Sequence, residues 1–372
     1  MIYLDSAATS LLKPAAVPRA VSRAIRTLAS PGRGGHAPAM EAAKAVYDCR
    51  CAAAELFDVP EPERVVFTMN ATHGLNIAIR SLVRPGDRVV ISGYEHNSVT
   101  RALKAVGADI RIARSPLFNG PATVAAFRER LAGASAAVCT HVSNVFGFVL
   151  PIYEIAALCR AYGVPLIVDA SQSAGCADVD FRALDPAFIA MPGHKGLLGP
   201  QGTGLLLCGQ VGVPLLYGGT GSDSKRQEMP DFLPDRLEAG THNVAGIAGL
   251  REGIRYVLDR TPQRIGAHER DLTALAAGEL EDVPGLEIFN GPEQAGVLSV
   301  RHTALDCETL CARLGERGVA VRGGLHCAPT AHETVGTLDT GTVRLSFSPF
   351  STRAETVKAC RILRRAAGGD FS

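Results

Sequence analysis

The sequence predicts an α/β fold, a mostly parallel sheet with helices on both faces, followed by a smaller α+β lobe. Two observations carry that prediction. From about residue 64 onward, short apolar runs alternate with amphipathic segments, the pattern of strand–helix–strand units. Strand–helix alternation of this kind argues for a parallel sheet covered on both faces. Past about residue 250 the alternation gives way to long helical stretches and a few short strands.

Taken in order, RVVFTM (64–69), DRVVISG (87–93), ADIRIA (108–113), AAVCTHV (136–142), VPLIVDA (164–170) and TGLLLC (203–208) read as buried strands, with a further strand in DPAFIAM. Between them GLNIAIRSL (74–82), SVTRALKAVG (98–107) and YEIAALCRAYG (153–163) read as covering helices. The turn-rich, polar GGTGSDSKRQEMPDFLP (218–234) reads as a mobile loop. A long helix is predicted across AGIAGLREGIRYVLD (245–259) and another around 265–282. The strands GVLSVRH (296–302) and GTVRLSFS (341–348) then flank a helix in CETLCARLGERG (307–318). On this reading a large domain spans 15–250, and a small α+β domain spans 251–372 together with the N-terminal segment 1–14.

A chain of 372 residues suits two such domains. Its 38 Lys and Arg against 37 Asp and Glu leave a formal charge of +1, and no run of like charge stands out. That excludes a broad nucleic-acid footprint. No uninterrupted stretch of eighteen apolar residues argues for a membrane span, and MIYLDSAATS lacks the basic-then-apolar order of a secretion signal. A cytoplasmic protein is expected. Ten cysteines in so long a chain do not suggest a disulfide framework; most read as small buried hydrophobes. Cys307 and Cys311 share a helix face, but no histidine follows at zinc-finger spacing, so no metal site is predicted.

The chemistry starts from MPGHKGLLGPQGTG, residues 191–204. Lys195 follows a histidine and precedes a glycine-rich run, among mostly apolar neighbours where a charged amine is costly. Asp169 ends the apolar strand LIVD, and a buried carboxylate needs a cationic partner to stay ionised. Thr72, in NATHG, precedes a helix whose free N–H groups and hydroxyl suit a phosphate. NATHG, YEHNS, SNVFG and DASQS all follow predicted strands, at the sheet edge where ligands of such folds bind. One cofactor satisfies the three residues together: pyridoxal 5'-phosphate offers an aldehyde for the lysine, a pyridine nitrogen for the aspartate and a phosphate for the helix start. No G-x-x-x-x-G-K-[ST] loop is present, and GPQGTG lacks the strand–turn–helix setting of a dinucleotide site.

With those residues in view, the chain resembles the class V aminotransferase branch of fold-type I pyridoxal-phosphate enzymes, and within it the cysteine desulfurase and selenocysteine lyase group. The resemblance runs nearly end to end, through YLDSAAT, ATHGLN, EHNSV, SNVFG, VDASQSAG, GHKGLLGPQGTG, EAGTHN, RGGLHCAP and VRLSFSPF. It implies a seven-stranded, mostly parallel sheet and a homodimer. It implies that Lys195 holds the cofactor as a Schiff base and shuttles protons, that Asp169 pairs with the pyridine nitrogen, and that Gln172 bonds the ring hydroxyl. His96 would stack on the ring. Ala71, Thr72 and His194 would hold the phosphate, with Thr241 reaching it from a second subunit. Asn144 would lie near the ring hydroxyl and substrate, Arg344 would clamp the substrate carboxylate, and Arg322 would sit beside it.

RGGLHCAP decides which reaction follows. Transamination needs no thiol, whereas a desulfurase needs one to take sulfur from the substrate, leaving an enzyme persulfide and L-alanine. Cys327 is the candidate, with Arg322 and His326 near it in sequence as cations that favour its thiolate. The resemblance therefore implies L-cysteine as substrate and a sulfur-acceptor protein as partner. A selenocysteine lyase, or a C–S lyase, aminotransferase or epimerase in which Cys327 is not the acceptor, is the alternative. Two departures bear on the phosphate: Thr72-His73 stands where the family commonly has Thr-Glu, and Pro192 where it often has serine. His332 in APTAHETVGT reads as a loop residue.

Overall fold

The computed structural model describes residues 1–31 and 34–368. β1 (Ile2–Tyr3) precedes α1 (Ala16–Thr27) and α2 (Ala37–Phe57). Then follow β2 (Val65–Thr68), α3 (Ala71–Leu82), β3 (Arg88–Ser92), α4 (Asn97–Val106), β4 (Asp109–Ala113), α5 (Gly120–Leu131) and β5 (Ala136–Thr140). The large lobe continues with α6 (Ile152–Tyr162), β6 (Leu166–Asp169), the short α7 (Phe181–Leu184), β7 (Phe188–Pro192), β8 (Gly204–Cys208) and α8 (Val244–Arg260). The remainder is α9 (Pro262–Leu280), β9 (Leu286–Phe289), β10 (Val297–His302), α10 (Cys307–Glu316), β11 (Val319–Ala320), β12 (Arg322–Gly324), α11 (Pro329–Val335), β13 (Thr342–Ser346) and α12 (Arg353–Gly368).

The main sheet has seven strands in the order β2-β8-β7-β6-β5-β3-β4. All run parallel except β8, which is antiparallel to both β2 and β7. Each predicted strand forms, most of them shortened by one or two residues at their ends; DPAFIAM instead becomes Phe188–Pro192, starting three residues later and ending one later. The two-residue period of a strand divides their side chains between two cores. Val65, Phe67, Ala137, Cys139, Leu166, Val168, Ile189, Met191, Leu205 and Leu207 face one core, with α2, α5, α6 and α8 covering it. The alternate residues Val66, Ala136, Val138, Ile167, Phe188, Ala190 and Leu206 face the other, under α3 and α4. Both faces of the inner strands are therefore buried and their runs are largely apolar, whereas the edge strand β4, DIRIA, alternates and exposes Arg111.

A third core lies under a four-stranded antiparallel sheet, β12-β13-β10-β9, packed by α9, α10 and α12. Ile2 and Leu4 join this core, and β1 pairs in parallel with β11. The core changes between α8 and α9: Ile247, Leu250 and Ile254 of α8 pack with the large sheet, Leu272, Ala276 and Leu280 of α9 with the small one. Residues 218–234 contain no regular element.

Three features differ from the expectations. Helices α1 and α2 precede the sheet and pack along α8. His332 lies in α11, not in a loop, and is fully buried, its Nδ1 2.7 Å from Thr337 Oγ1 and its ring against Phe146. Pro329 at the first turn and Gly336 in the left-handed conformation after the last one delimit that helix. Five of the ten cysteines, Cys49, Cys139, Cys159, Cys208 and Cys360, are buried; Cys327 is exposed. Among the described residues no helix is long and apolar enough to cross a membrane, and no cluster of metal-ligating side chains occurs.

Candidate active site

The carboxyl ends of the parallel strands gather the polar residues. Beyond β2, Asn70 caps α3, its Oδ1 accepting from the His73 N–H at 2.9 Å. Beyond β3, His96 caps α4, its Nδ1 accepting from the Ser98 N–H at 3.1 Å. Beyond β6 the chain turns through Asp169, Ser171 and Gln172, and beyond β7 it reaches His194 and Lys195. These segments close around a cleft of about 480 Å³ lined by Ala71, Thr72, His96, Asn144, Asp169 and Gln172, with His194 and Lys195 opposite. Eight of the predicted cofactor-binding residues thus share one cavity.

The loop carrying Lys195 passes so close to the Asp169 turn that only glycine fits beside it. A Cβ on Gly196 would stand 2.3 Å from the Ala174 carbonyl oxygen, backbone that cannot swing aside. That contact fixes the lysine relative to the aspartate. Burial lowers the Lys195 amine to about 8; Asp169 opposes this, and the charges of Arg344 and Arg322 reinforce it. At pH 7 roughly one amine in eleven is then neutral, against about one in 2,500 for a free lysine.

Asp169 is 2% exposed. Its Oδ1 accepts from the Ser171 N–H at 2.9 Å and from the Ser171 hydroxyl, while Oδ2 has no hydrogen-bond partner among the described residues. A cationic N–H at the cleft would complete it. Gln172 donates through Nε2 to the Ala7 carbonyl at 3.0 Å, which leaves its Oε1 for a ligand. The Thr72 and Ser98 hydroxyls, 2.8 Å apart, bridge the first turns of α3 and α4, so two helix N-termini converge on one end of the cleft. His194 is uncharged: burial first, then Lys195 and Lys13, push its ring down to about 4, and its Nδ1 sits 3.0 Å from Thr9 Oγ1. His73, the departure beside Thr72, turns away; its Nδ1 accepts from the Met69 N–H, and it lines a separate cavity with Thr241 and His242. Thr241 is exposed and does not line the Lys195 cleft.

The small lobe supplies the remaining candidates. Arg344 on β13 is 2% exposed, donating to Asp5 Oδ1 at 2.8 Å and to the Asn144 carbonyl at 2.9 Å, with Nε unpartnered. Arg322 on β12 is exposed. Cys327 lies in a turn where His326 and Cys327 both adopt left-handed φ, 50° and 56°. The turn is held by its backbone. The Cys327 carbonyl accepts from the Asn97 N–H at 2.7 Å, at the start of α4 beside His96, and the His326 carbonyl accepts from Asn144 Nδ2 at 2.8 Å. His326 is not the cation expected beside the thiol. Its ring is buried against Thr342, with Nε2 3.1 Å from the Thr342 carbonyl, and burial with Arg344 and His332 pushes it to about 2.

Sequence reasoning passed over Asp5, Ser98 and Ser171. All three lie inside quoted motifs, YLDSAAT, EHNSV and VDASQSAG. Asp5 and Arg344 are 339 residues apart, and no local pattern pairs them.

Comparisons with known proteins place the chain in a family. The sequence model of the family described as aminotransferase class-V matches residues 2–359. A probable cysteine desulfurase of Methanothermobacter thermautotrophicus is 32% identical over 99% of this chain and 95% of its own. A cysteine desulfurase of Haloferax volcanii is 31% identical over 96% and 87%. Among solved structures, an apo cysteine desulfurase from Thermococcus onnurineus superposes with a TM-score of 0.90 at 28% identity, covering 99% of this chain and 95% of that one. Fold, cleft and family match converge, and the chain belongs to the class-V aminotransferase family.

Proposed function

We propose that this protein is a pyridoxal-phosphate-dependent cysteine desulfurase, converting L-cysteine to L-alanine and retaining the sulfur as a persulfide on Cys327. The observation that carries the reading is an exposed thiol whose turn is bonded to Asn97 and Asn144, against the cleft that holds Lys195 and Asp169. The cysteine desulfurases among the relatives support the same activity.

The residues present fit the cofactor. Lys195, with its lowered amine, suits the aldehyde, and the free Oδ2 of Asp169 suits a protonated pyridine nitrogen. Gln172 would bond the ring hydroxyl, and Thr72, Ala71 and His194 would hold the phosphate at the helix starts. Bound pyridoxal phosphate supplies a sink for electrons from the substrate carbon skeleton.

The chain's own residues do the rest. Arg344 binds the substrate carboxylate, with Arg322 beside it, and Asn144 orients the substrate within the cleft. Lys195 would hold and move protons at the α-carbon, and His96, which lines the same cleft, would help hold the cofactor. The Cys327 thiolate attacks the substrate sulfur: the new S–S bond forms as the C–S bond breaks, and its electron pair stays with the carbon skeleton. That skeleton takes up a proton and leaves as alanine, with no outside oxidant or reductant.

Two further parts of the reading concern assembly and place. Thr241 completes the cleft of a second copy, a homodimer favoured by exposed Met69 and Leu216, which line one cavity with Thr241. A reducing cytoplasm suits ten free cysteines, and an acceptor protein would take the persulfide sulfur from exposed Cys327.

The test is product analysis with cysteine and with selenocysteine, wild type beside Cys327→Ser. Alanine and enzyme-bound sulfane sulfur from cysteine, lost in Cys327→Ser, are expected. Turnover that survives in the variant overturns the role of Cys327, and turnover of selenocysteine alone supports a lyase instead.

A further inference from the structure

A continuous polar chain runs from the proposed carboxylate site to the reactive thiol. Asp5 holds Arg344 at 2.8 Å, Arg344 Nη1 holds the Asn144 carbonyl at 2.9 Å, and Asn144 Nδ2 holds the His326 carbonyl at 2.8 Å. Cys327 is the next residue. Asn144 and Arg344 are 8% and 2% exposed, so neither exchanges these partners freely with water. Arg344 has an unpartnered Nε, and Asn144 still has a free Oδ1 and second N–H in the cleft wall.

The end of the chain is set against its own backbone preference. Two consecutive non-glycine residues, His326 and Cys327, are left-handed, a conformation that persists only where surrounding contacts impose it. Besides the turn's own Ala328 N–H to Leu325 carbonyl bond and the His332 ring stacked on His326, three hydrogen bonds tie it to other segments: Asn97 N–H on the Cys327 carbonyl, Asn144 on the His326 carbonyl, and Thr342 on the His326 ring. Of the three, only Asn144 also lines the cleft. Loosening it lets the turn relax; tightening it holds the thiol in place.

We infer that Asn144 is a positioning residue that couples occupancy of the Arg344 carboxylate site to the position of the Cys327 turn. The coupling rests on the proposed function, since it needs a substrate carboxylate at Arg344. That carboxylate draws the Arg344 donors from the Asn144 carbonyl, Asn144 shifts, and its hold on His326 weakens. Substrate without a carboxylate leaves the chain intact.

The test compares two ligands on the holoenzyme that differ only in the carboxylate, L-alanine and ethylamine. Visible absorbance reports that each has engaged the cofactor. Iodoacetamide labelling of Cys327, resolved by peptide mass spectrometry, reports the turn. Saturating alanine is expected to accelerate Cys327 labelling three- to tenfold over ethylamine, a shift equal to about 0.7–1.4 kcal/mol. Asn144→Asp keeps the backbone carbonyl and the size but removes the donor; it should label fast in both ligands, erasing the difference. Asn144→Ser, too short to reach His326, should do the same. Equal labelling in wild type with alanine and ethylamine, at full absorbance change, overturns the coupling alone, whether or not either variant folds. A ligand difference that persists in a folded Asn144→Asp also overturns it. Absorbance that ignores alanine refutes the reading of the cleft, and the coupling with it.

Discussion

Glu238→Ala should be among the most destabilising single changes in the large lobe. Glu238 is 5% exposed, as is its partner Arg50. The two are joined by a bidentate ion pair, with Arg50 Nη1 2.7 Å from Glu238 Oε1. The same carboxylate accepts from the Phe67 N–H at 2.6 Å and meets His242 Nε2 at 3.0 Å. Arg50 lies over the Phe67 ring, 4.5 Å from its centroid, and bonds the Val65 carbonyl, so it cannot turn to solvent. Removing the carboxylate strands a buried guanidinium, which costs about 3–5 kcal/mol. At roughly 2–4 °C per kcal/mol for a lobe of this size, the midpoint should fall by about 6–20 °C. Circular dichroism melts of wild type, Glu238→Ala, Glu238→Leu, Arg50→Met and the double variant Arg50→Met/Glu238→Leu test this, and the double variant should recover most of the loss of its two single variants. There is a pH signature as well. Burial alone would raise the Glu238 pKa, but the charge of Arg50 and hydrogen bonds from His242 and Arg50 outweigh it and hold it below the usual value. The stabilisation is therefore present above the unfolded-state pKa and lost as pH falls through the depressed folded one. A Glu238→Ala protein within about 1 kcal/mol of wild type, or a double variant as weak as the summed singles, refutes the reasoning.

Three other outcomes are expected. Cofactor-free enzyme should take up pyridoxal phosphate at a rate that climbs with pH and levels off just above 8, because the neutral Lys195 amine appears there; an inflection near 10.4 contradicts the lowered pKa. Asp169→Asn should cut kcat by roughly a hundredfold or more, since a hydrogen bond to a buried charge is worth up to about 3 kcal/mol, whereas Thr72→Val should weaken cofactor retention with less than about a tenfold loss of kcat. Stopped-flow turnover and cofactor dialysis separate the two, and equal losses argue against the assigned roles. Because the His326 ring is uncharged across the working range, His326→Gln should leave the pH midpoint of Cys327 alkylation unchanged; a shift of about a unit would show that the ring carries charge there.

How much of this was legible depends on range. The inner strands were, because a strand buried on both faces is mostly apolar, and a run such as AAVC announces it. The cleft was too, because the turns after β2, β3 and β6 and the loop after β7 each keep their polar residues together in sequence. Helix α1 is not among the predicted elements, although Val17, Val21, Ala24 and Ile25 of AVPRAVSRAIRT recur at helical spacing and Val17 and Ala24 are buried. The reversal of β8 was equally hidden, since GLLLC is fully buried in either direction. His332 was misread because its burial depends on Phe146, far away in the chain.

By itself, then, the sequence determined the layered α/β architecture, the identity of the lysine and aspartate in the cleft, and the thiol candidate. The first two follow from side-chain periodicity and from the chemical character of single residues; the thiol follows from the resemblance of RGGLHCAP and its companion motifs to a known family. Only the tertiary structure decided that Arg344 is held by Asp5 across 339 residues, that His326 is a buried neutral ring, and that the Cys327 turn hangs from Asn97 and Asn144. Those facts are charge and hydrogen-bond partnerships between distant segments, and they exist only once the two lobes have closed around the cleft.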